Sequence, residues 1–136
     1  MSTLSYFAHS DKGLRERNED SCLAMEKDGV YIFAVAEGMG GPSTGPSAAE
    51  VAVNSLREGG GVSSGSLVEI AESLLACADE ALFHFQEASP ESDPPAVAMT
   101  IALVGPAGEC LVSSPGHRKV FFMPYAPPGG SGAAAG

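Results

Sequence analysis

The run Val30-Tyr31-Ile32-Phe33-Ala34-Val35-Ala36-Glu37-Gly38-Met39-Gly40-Gly41 decides how the rest of the chain is read. Its first seven residues are apolar, β-branched or aromatic, and uncharged, the composition of a short buried strand. That strand is expected to end on Glu37. A glycine-rich loop follows, with a Pro/Ser/Gly turn to Pro46. A carboxylate is thereby set at the tip of a rigid element, beside backbone bare enough for close approach. Taken alone, the loop also fits a plain strand-to-helix turn in which glycine only relieves strain, because one glycine-rich loop is a weak signal.

Working back from this run, Lys27-Asp28-Gly29 is a hairpin signal, since Asp-Gly accepts positive φ at both central positions. Ser21–Glu26 is then the partner strand, and Leu4–Ser10 reads as a further strand before it. Between them lies Arg15-Glu16-Arg17-Asn18-Glu19-Asp20, too charged to be buried unless its charges are used. Working forward, two amphipathic helices are expected. The first starts near Pro46 with the capping box Ser47-x-x-Glu50, runs to Arg57, and stops at Gly59-Gly60-Gly61. The second starts at Ser66-x-x-Glu69 and runs to about Gln86, with Leu67, Ile70, Ala71, Leu74, Ala78 and Leu82 on one stripe and Phe85 completing it. His84 beside that stripe reads as a packed or surface residue rather than a ligand. Ala98–Val104 and Cys110–Ser114 read as strands joined at Gly105-Pro106-Ala107-Gly108, and Lys119–Met123 as a last strand. The expected class is α+β, with an antiparallel sheet and helices packed on one of its faces.

Bulk properties narrow the chemistry. The 136 residues suit one domain with a real core. A formal net charge of −10 disfavours nucleic acid and anionic membrane surfaces as partners. No Asp or Glu follows Glu109, so any carboxylate site is built from earlier residues. Cys22, Cys77 and Cys110 are odd in number and form no CxxC, which fits reduced thiols and a cytoplasmic protein. No signal peptide and no apolar run of membrane-spanning length is expected.

Glu19, Asp20 and Glu37, with the Gly38 carbonyl, offer an all-oxygen donor set of the kind that suits Mg²⁺ or Mn²⁺. Arg15 or Arg17 adds a planar fork matched to phosphate. A metal-activated water beside a phosphate-binding arginine is equipment for phosphoryl chemistry. The plain alternative is a solvated charged turn with local ion pairs.

Four segments in order resemble the N-terminal half of the PPM family, the type 2C metal-dependent protein serine/threonine phosphatases. Ser10-Asp11-Lys12-Gly13 with Arg15-Glu16-Arg17-Asn18-Glu19-Asp20-Ser21 is similar to the family's S-D-x-G…R-E-x-N-E-D-S. Phe33-Ala34-Val35-Ala36-Glu37-Gly38-Met39-Gly40-Gly41 resembles F-x-V-A-D-G-M-G-G. Ala98-Met99-Thr100-Ile101 stands where the family has G-T-T-L, and Gly116-His117-Arg118 where it has G-D-S-R. The resemblance implies an antiparallel β-sandwich flanked by helices. It also implies a reaction in which two Mn²⁺ or Mg²⁺ ions activate a water against phosphoserine or phosphothreonine. Arg15 would bind the substrate phosphate, Glu19, Asp20 and Glu37 would hold the metals, and Gly38 would lend its carbonyl.

The departures are specific. Glu37 replaces an aspartate, one residue is missing between Gly13 and Arg15, His117 or a gap replaces the aspartate of G-D-S-R, and the family's later metal-binding aspartates have no counterpart. Residues 1–123 are therefore expected to form a truncated phosphatase domain, and residues 124–136, rich in Pro, Gly and Ala, a disordered tail of the kind left by a premature stop or frame change. The expectation is a phosphatase weak or inactive alone, with a weak or partial metal site and an exposed sheet face inclined to self-association. The rivals are a pseudophosphatase or non-catalytic module that binds a protein partner, and a nucleotide binder using the Gly38–Gly41 loop. The last is poorly supplied: Ser43 occupies the third glycine position of G-x-G-x-x-G, and no G-K-[ST] is present.

Overall fold

The structure is a computed structural model that describes residues 4–59, 65–115 and 120. The elements run β1 (Asp20–Lys27), β2 (Val30–Met39), α1 (Ala48–Glu58), α2 (Leu67–Ala88), β3 (Ala96–Val104) and β4 (Cys110–Ser113). The four strands form one antiparallel sheet in the order β1-β2-β3-β4, so the fold is α+β and β2 is internal.

The hairpin between β1 and β2 follows its residues. Asp28 and Gly29 take φ of 51° and 81°, and Lys27 pairs with Val30. Two consecutive left-handed residues give the twist that a tight antiparallel turn needs. The register then propagates to Asp20↔Glu37 at the far end.

Alternation along β2 divides the sheet. Val30, Ile32, Ala34 and Ala36 are buried, whereas Tyr31, Phe33, Val35 and Glu37 point to the other face. The buried side meets Leu23 from β1, Ile101 and Leu103 from β3, and the apolar stripes of both helices: Ala49, Ala52, Val53 and Leu56 from α1, and Ile70, Ala71, Leu74 and Ala78 from α2. Both serines serve as N-caps. The Ser47 hydroxyl accepts the Glu50 amide at 3.2 Å, and the Ser66 hydroxyl accepts the Glu69 amide at 3.2 Å. Each cap satisfies one of the amides that a helix start leaves without a partner.

Two expectations are corrected. Leu4–Ser10 is not a strand. Tyr6 instead lies over the open sheet face, edge-on to Tyr31 at 6.0 Å and to Phe33 at 5.9 Å between ring centroids. Aromatic contact on the face replaces ladder pairing at the edge. The second correction concerns β2, which does not end on Glu37. It continues through Glu37 and Gly38 to Met39, because β3 offers Ala98, Val97 and Ala96 as partners across from them. Helix α1 starts one residue after its Ser47 cap, and α2 reaches Ala88. Of the expected last strand Lys119–Met123, only Val120 is described, exposed and outside any ladder. The 124–136 tail and Gly116-His117-Arg118 lie outside the described residues. Among the described residues no helix is long and apolar enough to cross a membrane.

Candidate functional site

The site is built where the β1–β2 ladder ends. Asp20 opens β1 and stands directly opposite Glu37. Cross-strand neighbours of this kind hold their Cβ atoms about 5 Å apart, and two like charges so placed repel. A cation relieves the repulsion. The Arg15 Nη2 donates to Asp20 Oδ2 at 2.7 Å, a charge-assisted bond. The Arg15 guanidinium is held above its usual pKa, first by that hydrogen bond, then by the charge of Asp20, and more weakly by Glu37 and Glu19. Three carboxylates and one guanidinium therefore share one end of the sheet. The Arg15 side chain is 56 % exposed, so solvent screens the pair.

Local sequence explains how the segment is set. The Asn18 Oδ1 accepts the Asp20 amide at 3.0 Å, a side-chain turn that feeds the chain into β1. The Asn18 amide nitrogen donates to the Ser10 hydroxyl at 2.9 Å, tying the N-terminal segment to the same corner. Past the first ladder pair, the Gly38 amide donates to the Glu19 carbonyl at 2.9 Å. All five anticipated residues, Arg15, Glu19, Asp20, Glu37 and Gly38, thus meet at one corner.

Among the described residues, no group of three or more His, Cys, Asp or Glu side chains is arranged to hold a metal ion. The Asp20 carboxylate is engaged by Arg15. Glu37 sits within a ladder, not at a free tip, and brings one methylene more than the aspartate of the resembled motif.

The glycine loop is packed rather than open. A Cβ on Gly38 would stand 2.8 Å from the Ala49 nitrogen at the start of α1. Gly40, at φ 73°, lies so close to the Pro94 carbonyl that a Cβ would run into it, and the Gly41 amide donates to the Asp93 carbonyl at 2.7 Å. The glycines let the loop pass between α1 and the 93–94 segment that leads into β3. Ala98, from the third resembling segment, lies directly across from Glu37. Its neighbour Thr100 shares a hydrogen bond of 2.8 Å with the Ser114 hydroxyl.

Asn18 has no chemical role of its own in the sequence reading, and its side-chain turn emerges only from the fold. Arg17 was interchangeable with Arg15 as a phosphate fork, and only the fold separates them. Arg17 donates to two loop carbonyls, Pro42 O at 2.7 Å and Gly45 O at 2.9 Å, whereas Arg15 faces the carboxylates. Comparison with protein-family models, with curated proteins and with solved structures gives no match.

Proposed function

We propose that the chain is a type 2C phosphatase-like domain that recognises phosphoserine or phosphothreonine on a protein and turns it over weakly or not at all. The observation that carries the reading is the Arg15–Asp20 pair set opposite Glu37 by the β1–β2 register. An exposed guanidinium at a strand end, with its partner bond reachable by solvent, is a fork that a phosphate can take from a carboxylate. The order of the resembling segments supports the family reading, because the first three of them fall at one corner of a single sheet.

The same geometry supports low turnover. Water activation requires cations held firmly by several oxygen ligands. Here Arg15 serves as the counter-ion, and the central acid is a methylene too long for a tight bridge. A divalent cation, Mn²⁺ or Mg²⁺, enters this reading only as a weak competitor of Arg15. The second reading, a non-catalytic module docking a phosphorylated partner, draws on this observation directly. The two-sheet sandwich of the resembled family also belongs to the proposal.

Titration calorimetry with a phosphothreonine peptide and its unphosphorylated twin tests the reading. The wild-type chain should prefer the phosphorylated peptide, and Arg15→Gln should remove the preference. Equal affinity for both peptides would remove the case for phosphate recognition.

A further inference from the structure

We propose that Arg17 is the positioning residue of this corner, a planar clamp that fixes the 40–46 loop to the acid-bearing segment. Its consequence for phosphate binding rests on the function proposed above, while the clamp itself does not. The candidate site has two halves separated in sequence, Arg15–Asp20 and Glu37–Gly41. One join between them is the Asp20↔Glu37 ladder pair, with the Gly38 amide on the Glu19 carbonyl just beyond it. The other is Arg17, whose Nη1 and Nη2 reach Pro42 O and Gly45 O at 2.7 and 2.9 Å. Two nitrogens of one rigid plane thus engage carbonyls three residues apart, which defines the curvature of the loop between them.

The loop needs such a clamp. It carries left-handed glycines at Gly40, Gly41 and Gly45, all of them free to take other conformations in the unfolded chain. It delivers Ser47, the cap of α1, and lies against Asp93 and Pro94 through the Gly41 amide and the tight approach at Gly40. Arg17 is half-buried, and its bond to Pro42 is partly shielded from water. A lysine keeps the charge there but cannot give two parallel N–H groups from one plane. Arg17 therefore acts through the loop, whereas Arg15 meets the ligand.

Amide hydrogen exchange on wild type, Arg17→Lys and Arg17→Ala tests the clamp. Both substitutions should speed exchange at the Gly41 and Glu50 amides by about tenfold or more, while the β2–β3 ladder amides keep wild-type protection. Wild-type protection of the loop in Arg17→Lys would overturn the proposal, as would an equal loss throughout the ladder. Should either variant fail to fold, the guanidinium NMR signals of wild type decide: separate, slowly rotating Nη–H resonances for Arg17 support the clamp, and one averaged signal overturns it. Arg17→Lys should also weaken phosphothreonine-peptide binding a few-fold without erasing the preference for phosphate that Arg15→Gln erases. If wild type shows no such preference, the function proposed above falls, and loop exchange still decides the role of Arg17.

Discussion

At the residue scale, the two arginines two positions apart do different work, and their substitutions should separate. Arg15 offsets the repulsion between Asp20 and Glu37, so Arg15→Gln should release the Asp20 carboxylate from its bond to the guanidinium. Mn²⁺ binding, followed by the paramagnetic signal of the free ion, should then strengthen by roughly two- to fivefold, even as phosphopeptide binding is lost. Weaker Mn²⁺ binding in Arg15→Gln would show that Arg15 does not compete for the site. The pH dependence has a definite sign. Arg15 has its pKa raised by Asp20 in the folded chain, so its contribution to stability is fully present below its unfolded pKa and is lost only as pH rises through the folded one. The stability difference between wild type and Arg15→Gln should therefore be flat from about pH 6 to about pH 9. A difference that faded across that range, read by thermal denaturation, would point to another titrating group. That Arg15, Glu19, Asp20, Glu37 and Gly38 come together was legible in the sequence because the Asp28-Gly29 hairpin signal sets side by side the strands they lie on or lead into. The division between Arg15 and Arg17 was not, because both carry the same fork and only the path of the 40–46 loop assigns them.

At the scale of elements, the glycine run is explained by neighbours that lie far away in sequence. Gly40 faces the Pro94 carbonyl at a positive φ, so Gly40→Ala combines backbone strain with a steric conflict. It should destabilise the fold by about 1–3 kcal/mol in a denaturant titration. No loss of stability would mean the 93–94 segment gives way freely. The helices and the internal strand were legible because their signals are local: the two Ser-x-x-Glu boxes and the apolar stripes sit within the elements they define. The end of β2 was not. Glu37 and Gly38 are poor strand formers, and they are kept in the ladder by β3 residues some sixty positions later. Leu4–Ser10 misled for the opposite reason. Its apolar residues have strand-like spacing, and Tyr6 uses them on the sheet face instead.

At the scale of the whole molecule, the helices cover one face of the sheet, and among the described residues no helix or strand covers the other. Val35 is 49 % exposed at its centre, beside Phe33 and Tyr31, with Tyr6 covering only part of it. Exposed apolar surface of this kind favours association. The net charge of −10 opposes it, and salt screens that opposition. Light scattering should show self-association that grows with added salt and recedes in Val35→Lys. A monomer at every salt concentration would mean that the open face is already satisfied.

The central claim is recognition of a phosphorylated residue without effective turnover. Hydrolysis of a phosphothreonine peptide by the purified chain in Mn²⁺, compared for wild type, Glu37→Asp and Asp20→Ala, meets that claim most directly. The account predicts rates near background for all three, with Glu37→Asp giving no rescue, because shortening one acid neither frees Asp20 from Arg15 nor supplies further ligands. Robust Mn²⁺-dependent turnover by wild type or Glu37→Asp, abolished in Asp20→Ala, would contradict it and show a complete catalytic metal site at this corner of the sheet.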